Sequence, residues 1–91
     1  MTDFVKSEIA SIKSRIAAIE FALESFYDYE NEEDRKKHLK RACVHNPHLK
    51  TYCLYNVAEL KSTLENCSKL LLEKEGQVTG IGVNIIFLLN K

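Results

Sequence analysis

Two stretches of the sequence repeat apolar residues at alternating spacings of four and three. The first stretch comprises Val5, Ile9, Ile12, Ile16, Ile19, Leu23 and Phe26. The second comprises Cys53, Val57, Leu60, Leu64, Cys67 and Leu71. This spacing places side chains on one face of an α-helix, whereas a half-buried strand alternates at every second residue. The sequence therefore predicts two long amphipathic helices, each carrying an apolar seam.

Capping and helix-breaking residues set the bounds of the predicted elements. The predicted helices span about residues 3–30, 32–45 and 47–75. Asn31 is a favourable N-cap for the second helix, and Pro47 disfavours helix at the residue before it while suiting the first turn of the third. Gly76 is the expected C-cap of the third helix. Helices this long and so few interruptions indicate one helical domain over residues 1–91.

The tail, residues 77–91, is rich in apolar residues. Its apolar positions fit a helical face, but a run this short also suits a strand. We expect a short helix beginning at about Gly82. With the two seams, this predicts an all-α fold, an antiparallel helical hairpin or bundle of three to four helices.

Composition narrows the classes of function. The 13 basic and 13 acidic side chains cancel, whereas a nucleic-acid-binding domain usually has a basic excess. The longest apolar run is too short to span a membrane, and the first residues lack the apolar core of a secretory signal. Three cysteines make a poor disulfide framework. We therefore expect no nucleic-acid partner, no membrane span and a cytoplasmic or other reducing intracellular compartment.

Cysteine and histidine cluster around the predicted junction of the second and third helices. The candidate ligands are Cys43, His45, His48 and Cys53. These residue types bind zinc, but their spacing matches neither a C-x2-C knuckle nor an H-x3–5-H pair. The favoured interpretation is that the cysteines fill the core as small apolar residues and that no metal or other cofactor is needed. A zinc-stapled domain is the alternative.

Opposite charges lie in adjacent blocks in the middle of the chain. Residues 28–34 are mainly acidic and residues 35–41 mainly basic. Within a helix, Glu32–Lys36 and Glu33–Lys37 have the spacing and order of favourable ion pairs. This predicts a solvated helix face whose charges pair with one another. The alternative is that the basic run Arg35 to Arg41 contacts phosphate or anionic lipid.

No catalytic or cofactor-binding motif accompanies these features, so an enzyme is not expected. Two seams and an apolar tail favour a non-enzymatic protein–protein interaction module, a small adaptor or complex subunit that packs helices against a protein partner or a second copy. The predicted core comprises Ile12, Ile16, Ile19, Leu60, Leu64 and Cys67. The predicted partner-facing residues are Phe4, Phe21, Ile86, Phe87 and Leu89. A small-molecule carrier or enzyme with a site inside the bundle is a further alternative.

Overall fold

A computed structural model describes the backbone of residues 2–79 and the side chains of residues 3–76. This part of the chain contains helices and no strand, which confirms the all-α class. The four helices are α1 (Thr2–Asp28), α2 (Glu32–Ala42), α3 (Leu49–Tyr52) and α4 (Val57–Thr79). The short helix predicted from about Gly82 lies outside the described residues. No helix within residues 2–79 combines the length and the hydropathy needed to cross a bilayer.

Helices α1 and α4 form the principal pair of the fold and run antiparallel. The Lys74 ammonium lies 2.9 Å from the Glu8 carboxylate, which joins the last part of α4 to the first part of α1. Arg15 lies seven residues further along α1, and it is close to Cys67, which lies seven residues earlier in α4. From the first contact to the second, the position moves seven residues forward in α1 and seven residues back in α4. The two helices are therefore antiparallel, with their seams side by side.

The predicted core is largely confirmed. Ile12, Ile19, Leu60 and Cys67 are buried, and Ile16 and Leu64 pack against them while partly exposed. Two alanines of α1, Ala18 and Ala22, are also buried. Their small side chains fit positions where neighbouring elements pack closely against α1.

Helices α2 and α3 add their own residues to the same core. Leu39, Leu49 and Tyr52 are at most 5% exposed and belong to the buried cluster of the α1–α4 pair. The start of α2 is fixed as predicted, because the Asn31 Oδ1 accepts hydrogen bonds from the backbone N–H groups of Glu33 and Asp34 at 2.8 and 3.3 Å.

The third predicted helix, at about 47–75, differs in the structure. The chain forms the short helix α3, a turn at residues 53–56, and then α4 from Val57. The break coincides with a capping box: the Asn56 side chain accepts from the Glu59 N–H at 2.8 Å, and the Glu59 carboxylate accepts from the Asn56 N–H at 3.0 Å. Cys53, assigned to the seam, therefore lies in the turn and is only half-buried.

Two other boundaries differ from prediction. Asn46 does not cap a helix starting at Pro47. Its Oδ1 accepts from the His48 N–H at 3.1 Å, and its Nδ2 donates to the Ser14 carbonyl at 2.9 Å, so it anchors the turn between α2 and α3 to α1. Gly76 lies within α4 instead of ending it. The position is buried, and glycine leaves the most room for close packing there.

Candidate functional site

A groove lies between α1 and α2 and reaches the turn that leads into α3. It has a volume of about 640 Å³. Its apolar floor comprises Ala17, Ala18, Phe21, Ala42 and Leu49. Its polar rim comprises Tyr29, His38, Arg41, His45 and Asn46. We call this surface the α1–α2 groove. Three alanines in its floor allow a helix or an extended backbone to approach closely.

Aromatic contacts hold the two walls of this groove together. The His38 ring of α2 stacks on the Phe21 ring of α1, with centroids 5.0 Å apart and an interplanar angle of 24°. The Tyr29 ring packs against the same imidazole at 4.9 Å. Because one α2 side chain lies against two rings from the α1 side, these contacts fix the position of α2 beside α1.

The basic half of α2 borders the groove and is only partly neutralised. Glu32 forms ion pairs with both Arg35 and Lys36: its Oε1 lies 3.8 Å from the Arg35 Nη2 and 3.6 Å from the Lys36 Nζ. Within residues 3–76, Lys37, Lys40 and Arg41 have no acidic partner within ion-pair distance, and they line a shallow surface depression together. The predicted pair Glu32–Lys36 is thus confirmed. The broader expectation that the two charge blocks neutralise each other is wrong, because one glutamate takes two cations and three basic residues are left.

Arg35 occupies a different environment at the start of α2. Its side chain is 5% exposed, and its guanidinium carbon lies 3.9 Å from the centroid of the Phe26 ring. Nη2 faces the Glu32 carboxylate, which is itself 72% exposed, and Nη1 is buried without a hydrogen-bond partner among the described residues. Leaving a buried donor of this kind unsatisfied costs about 1–3 kcal/mol.

A small cavity adjoins this guanidinium. It has a volume of about 160 Å³ and lies between the first turn of α2 and the turn at residues 53–56. Its lining comprises Phe26, Glu32, Arg35, Lys36, Cys53, Leu54, Tyr55 and Asn56. We call it the Arg35 cavity. None of its lining residues belongs to the α1–α2 groove, so the two concave surfaces are separate.

The cysteines and histidines proposed as zinc ligands do not form a cluster. Within the described residues, no three His, Cys, Asp or Glu side chains lie together in an arrangement that could hold a metal ion. Cys43 instead donates its thiol hydrogen to the Leu39 carbonyl and Cys53 to the Lys50 carbonyl, each at 3.3 Å. His45 lies on the rim of the α1–α2 groove, and His48 precedes α3 with no side-chain capping bond.

The predicted partner-facing residues have unlike environments. Phe4 is 69% exposed in the first turn of α1. Phe21 is half-buried by its contact with His38, although it also lines the α1–α2 groove. Ile86, Phe87 and Leu89 lie outside the described residues. A role in binding stays a prediction for all five.

A polar contact between α1 and α3 bridges the edge of the core. The Arg15 Nε donates to the Tyr52 hydroxyl at 3.1 Å. This hydrogen bond raises the pKa of Arg15 above its ordinary value and outweighs the opposing effect of burial. Since arginine is charged at any physiological pH, the contact serves to position α3 and not to titrate.

Sequence reasoning overlooked Ala17 as a site residue, and it considered Arg35 and Arg41 only as part of the basic run. Arg41 had a detectable signal, because three acidic partners cannot be assigned to every cation of the basic block at the i,i+4 spacing. The burial of Arg35 against Phe26 had no such signal in the sequence, since it depends on how α2 crosses α1.

In comparisons with known proteins, the chain matches no family model, no curated sequence and no solved structure.

Proposed function

We propose that the protein is a non-enzymatic interaction module that binds an acidic amphipathic helix of a partner protein in the α1–α2 groove. The observation that carries the proposal is the combination of an apolar groove floor with a border of basic residues that lack acidic partners. A helix with apolar residues on one face and carboxylates beside them matches both parts of this surface.

The floor supplies the apolar part of the binding energy. Ala17 is exposed, and Phe21 and Ala42 are partly exposed beside it, so an incoming helix meets two small side chains and an aromatic ring. Ala18 and Leu49 are buried beneath them. Large residues of the partner would fill the space that the alanines leave. Burying apolar area in this way contributes about 25 cal/mol per Å² removed from water.

The border supplies direction and selectivity. Arg41 lies on the groove rim, and Lys37 and Lys40 line an adjoining surface depression with it. None of the three has an acidic partner within ion-pair distance among residues 3–76. Carboxylates on a partner helix would steer towards these three residues, whereas a basic helix would be repelled. The exposed Val44, which is 83% accessible just beyond the end of α2, extends the apolar surface at that end.

The test uses two synthetic helical peptides that share a leucine stripe at alternating three- and four-residue spacing. One carries glutamate at the remaining positions and the other carries lysine. Binding to the full chain is measured by fluorescence anisotropy at several salt concentrations. We expect the glutamate peptide to bind in a saturable and salt-sensitive manner and the lysine peptide to bind more weakly. Equal binding of both peptides, or no binding of either, would overturn the proposal.

Matched variants locate the binding surface. Ala17→Asp places a carboxylate on the groove floor, and Ala10→Asp makes the same change at an exposed alanine two turns earlier on α1, outside the groove. We expect Ala17→Asp to lower the affinity for the glutamate peptide by about thirtyfold, as for loss of a binding hot spot. Ala10→Asp should leave this affinity unchanged. Equal effects of the two variants would exclude the groove as the binding surface.

A charge exchange provides an independent test of the border. Arg41→Glu should weaken binding of the glutamate peptide and strengthen binding of the lysine peptide. Lys61→Glu, at an exposed position of α4 outside the groove, should change neither. Light scattering of the free chain distinguishes a partner helix from a second copy. A stable dimer whose formation blocks the peptide would show that the groove binds another copy of this chain, contrary to the proposal.

A further inference from the structure

We infer that the Arg35 cavity binds a small oxyanion, a carboxylate or a phosphate group, through the Arg35 guanidinium. This site is separate from the α1–α2 groove and stands without the proposed function. Three observations support it: a buried cation, an unsatisfied donor on that cation, and a cavity of suitable size beside it.

The guanidinium is already held in place for binding. Its central carbon lies over the Phe26 ring, 3.9 Å from the ring centroid, so a cation–π contact holds the guanidinium in position. A side chain that is 5% exposed has few alternative rotamers to lose on binding. Arginine presents paired donors that match the oxygens of a carboxylate or phosphate.

Glu32, the acidic residue beside Arg35, interacts only weakly with these donors. Glu32 Oε1 lies 3.8 Å from Nη2, beyond hydrogen-bond distance, and the same atom lies 3.6 Å from the Lys36 ammonium. The charged residues of the cavity lining are Arg35, Lys36 and Glu32, so the lining itself has a net positive charge. The Glu59 carboxylate lies just beyond the lining, where it accepts from the Asn56 N–H. An oxyanion at Arg35 would neutralise the net charge of the lining and satisfy Nη1.

An oxyanion can reach the buried donor only if side chains of the cavity lining move. Nη1 is shielded from solvent, so an oxyanion must displace part of the cavity rim to reach it. Leu54 is 78% exposed and Glu32 72% exposed, so both can swing aside at little cost in buried area. Asn56 also lines the cavity. Because its Oδ1 is engaged in the capping box, its side-chain amide nitrogen is the group that could donate to an oxyanion.

The experiment is an NMR titration of the full ¹⁵N-labelled chain with sodium acetate and with inorganic phosphate, against sodium chloride at equal ionic strength. We expect saturable shifts of the Arg35 side-chain Nε–Hε resonance and of the backbone amides at residues 35, 36, 55 and 56. A response to acetate alone identifies a carboxylate ligand and a response to phosphate alone a phosphate group. A response to both shows that the site recognises the shared oxyanion.

Arg35→Gln should weaken the response by about tenfold to a hundredfold, the effect of losing a charge-assisted hydrogen bond. Lys61→Gln removes a positive charge from an exposed position of α4, outside the cavity and the groove, and should leave the response unchanged. If Arg35→Gln fails to fold, Arg35→Lys keeps the charge and removes the planar donors, and it should weaken binding in the same direction. No localised shift, or equal loss in the Lys61 variant, would overturn the inference.

Discussion

The α1–α4 pair and the segment that joins its helices, residues 29–56, depend on different kinds of interaction. The pair is held by two repeating seams, so each buried residue has equivalent neighbours one or two turns away. The joining segment reaches the same core through three residues without a repeat, Leu39, Leu49 and Tyr52. It also carries nearly all the groups that form the α1–α2 groove rim and the Arg35 cavity.

This difference indicates a division of roles within a small chain. A repeating seam distributes the stabilising contacts over many positions, and the pair can therefore serve as a scaffold. The joining segment, attached without a repeating seam, displays charges and an unsatisfied donor, Arg35 Nη1, whose cost the scaffold must offset. The predictions below test whether the two regions respond as differently as their packing suggests.

The largest effect is expected at the centre of the seam. Ile19 has no exposed surface, so Ile19→Asp would bury a carboxylate without a partner. We expect a loss of more than about 4 kcal/mol, enough to unfold a domain of this size. Circular dichroism during urea titration measures it. Ile16→Asp, at a half-buried seam position, should cost less because its carboxylate can reach water; equal losses would mean that burial does not rank the seam positions.

A smaller effect is expected in the joining segment. Leu39 is the fully buried leucine of α2, and Leu39→Ala should lower the free energy of unfolding by about 2–5 kcal/mol. Hydrogen exchange by NMR then separates two outcomes. Because Leu39 belongs to the common core, we expect protection to fall in α1 and α4 as well as in α2.

The control for Leu39→Ala is Leu54→Ala, at a leucine that is 78% exposed in the turn before α4. It should change stability by no more than about 0.5 kcal/mol. If Leu39→Ala releases α2 alone and leaves α1 and α4 protected, the joining segment folds as a separate unit, and the contrast between the two regions is sharper than their shared core implies.

The same contrast explains which features the sequence could predict. The all-α class, the seams and buried residues such as Ile19 and Leu60 follow from periodicity, which is a property of the chain itself. The groove and the Arg35 cavity arise where α2 crosses α1, and the burial of Arg35 on Phe26 depends on a crossing that no local pattern specifies. The start of α4 lies between these cases, because the Asn56-x-x-Glu59 capping signal was present but the longer seam pattern, extended through Cys53, obscured it.

The smallest effect is expected at this boundary between the two regions, where Asn56 ends the turn and begins α4. Asn56→Ala removes the acceptor for the Glu59 N–H and should cost about 1 kcal/mol. Asn31→Ala, at the other side-chain cap of the joining segment, is the matched comparison and should cost a similar amount.

Backbone chemical shifts of Asn56→Ala then show whether residues 53–56 have become helical. If Asn56→Ala lets helix extend from α3 through Tyr55 into α4, the capping box alone interrupts the seam, and the joining segment is defined by local sequence. If the turn at residues 53–56 persists despite the lost cap, packing of Tyr52 and Leu49 into the core imposes the break. The boundary between the α1–α4 pair and the joining segment is then set by tertiary packing. The same is true of the α1–α2 groove and the Arg35 cavity.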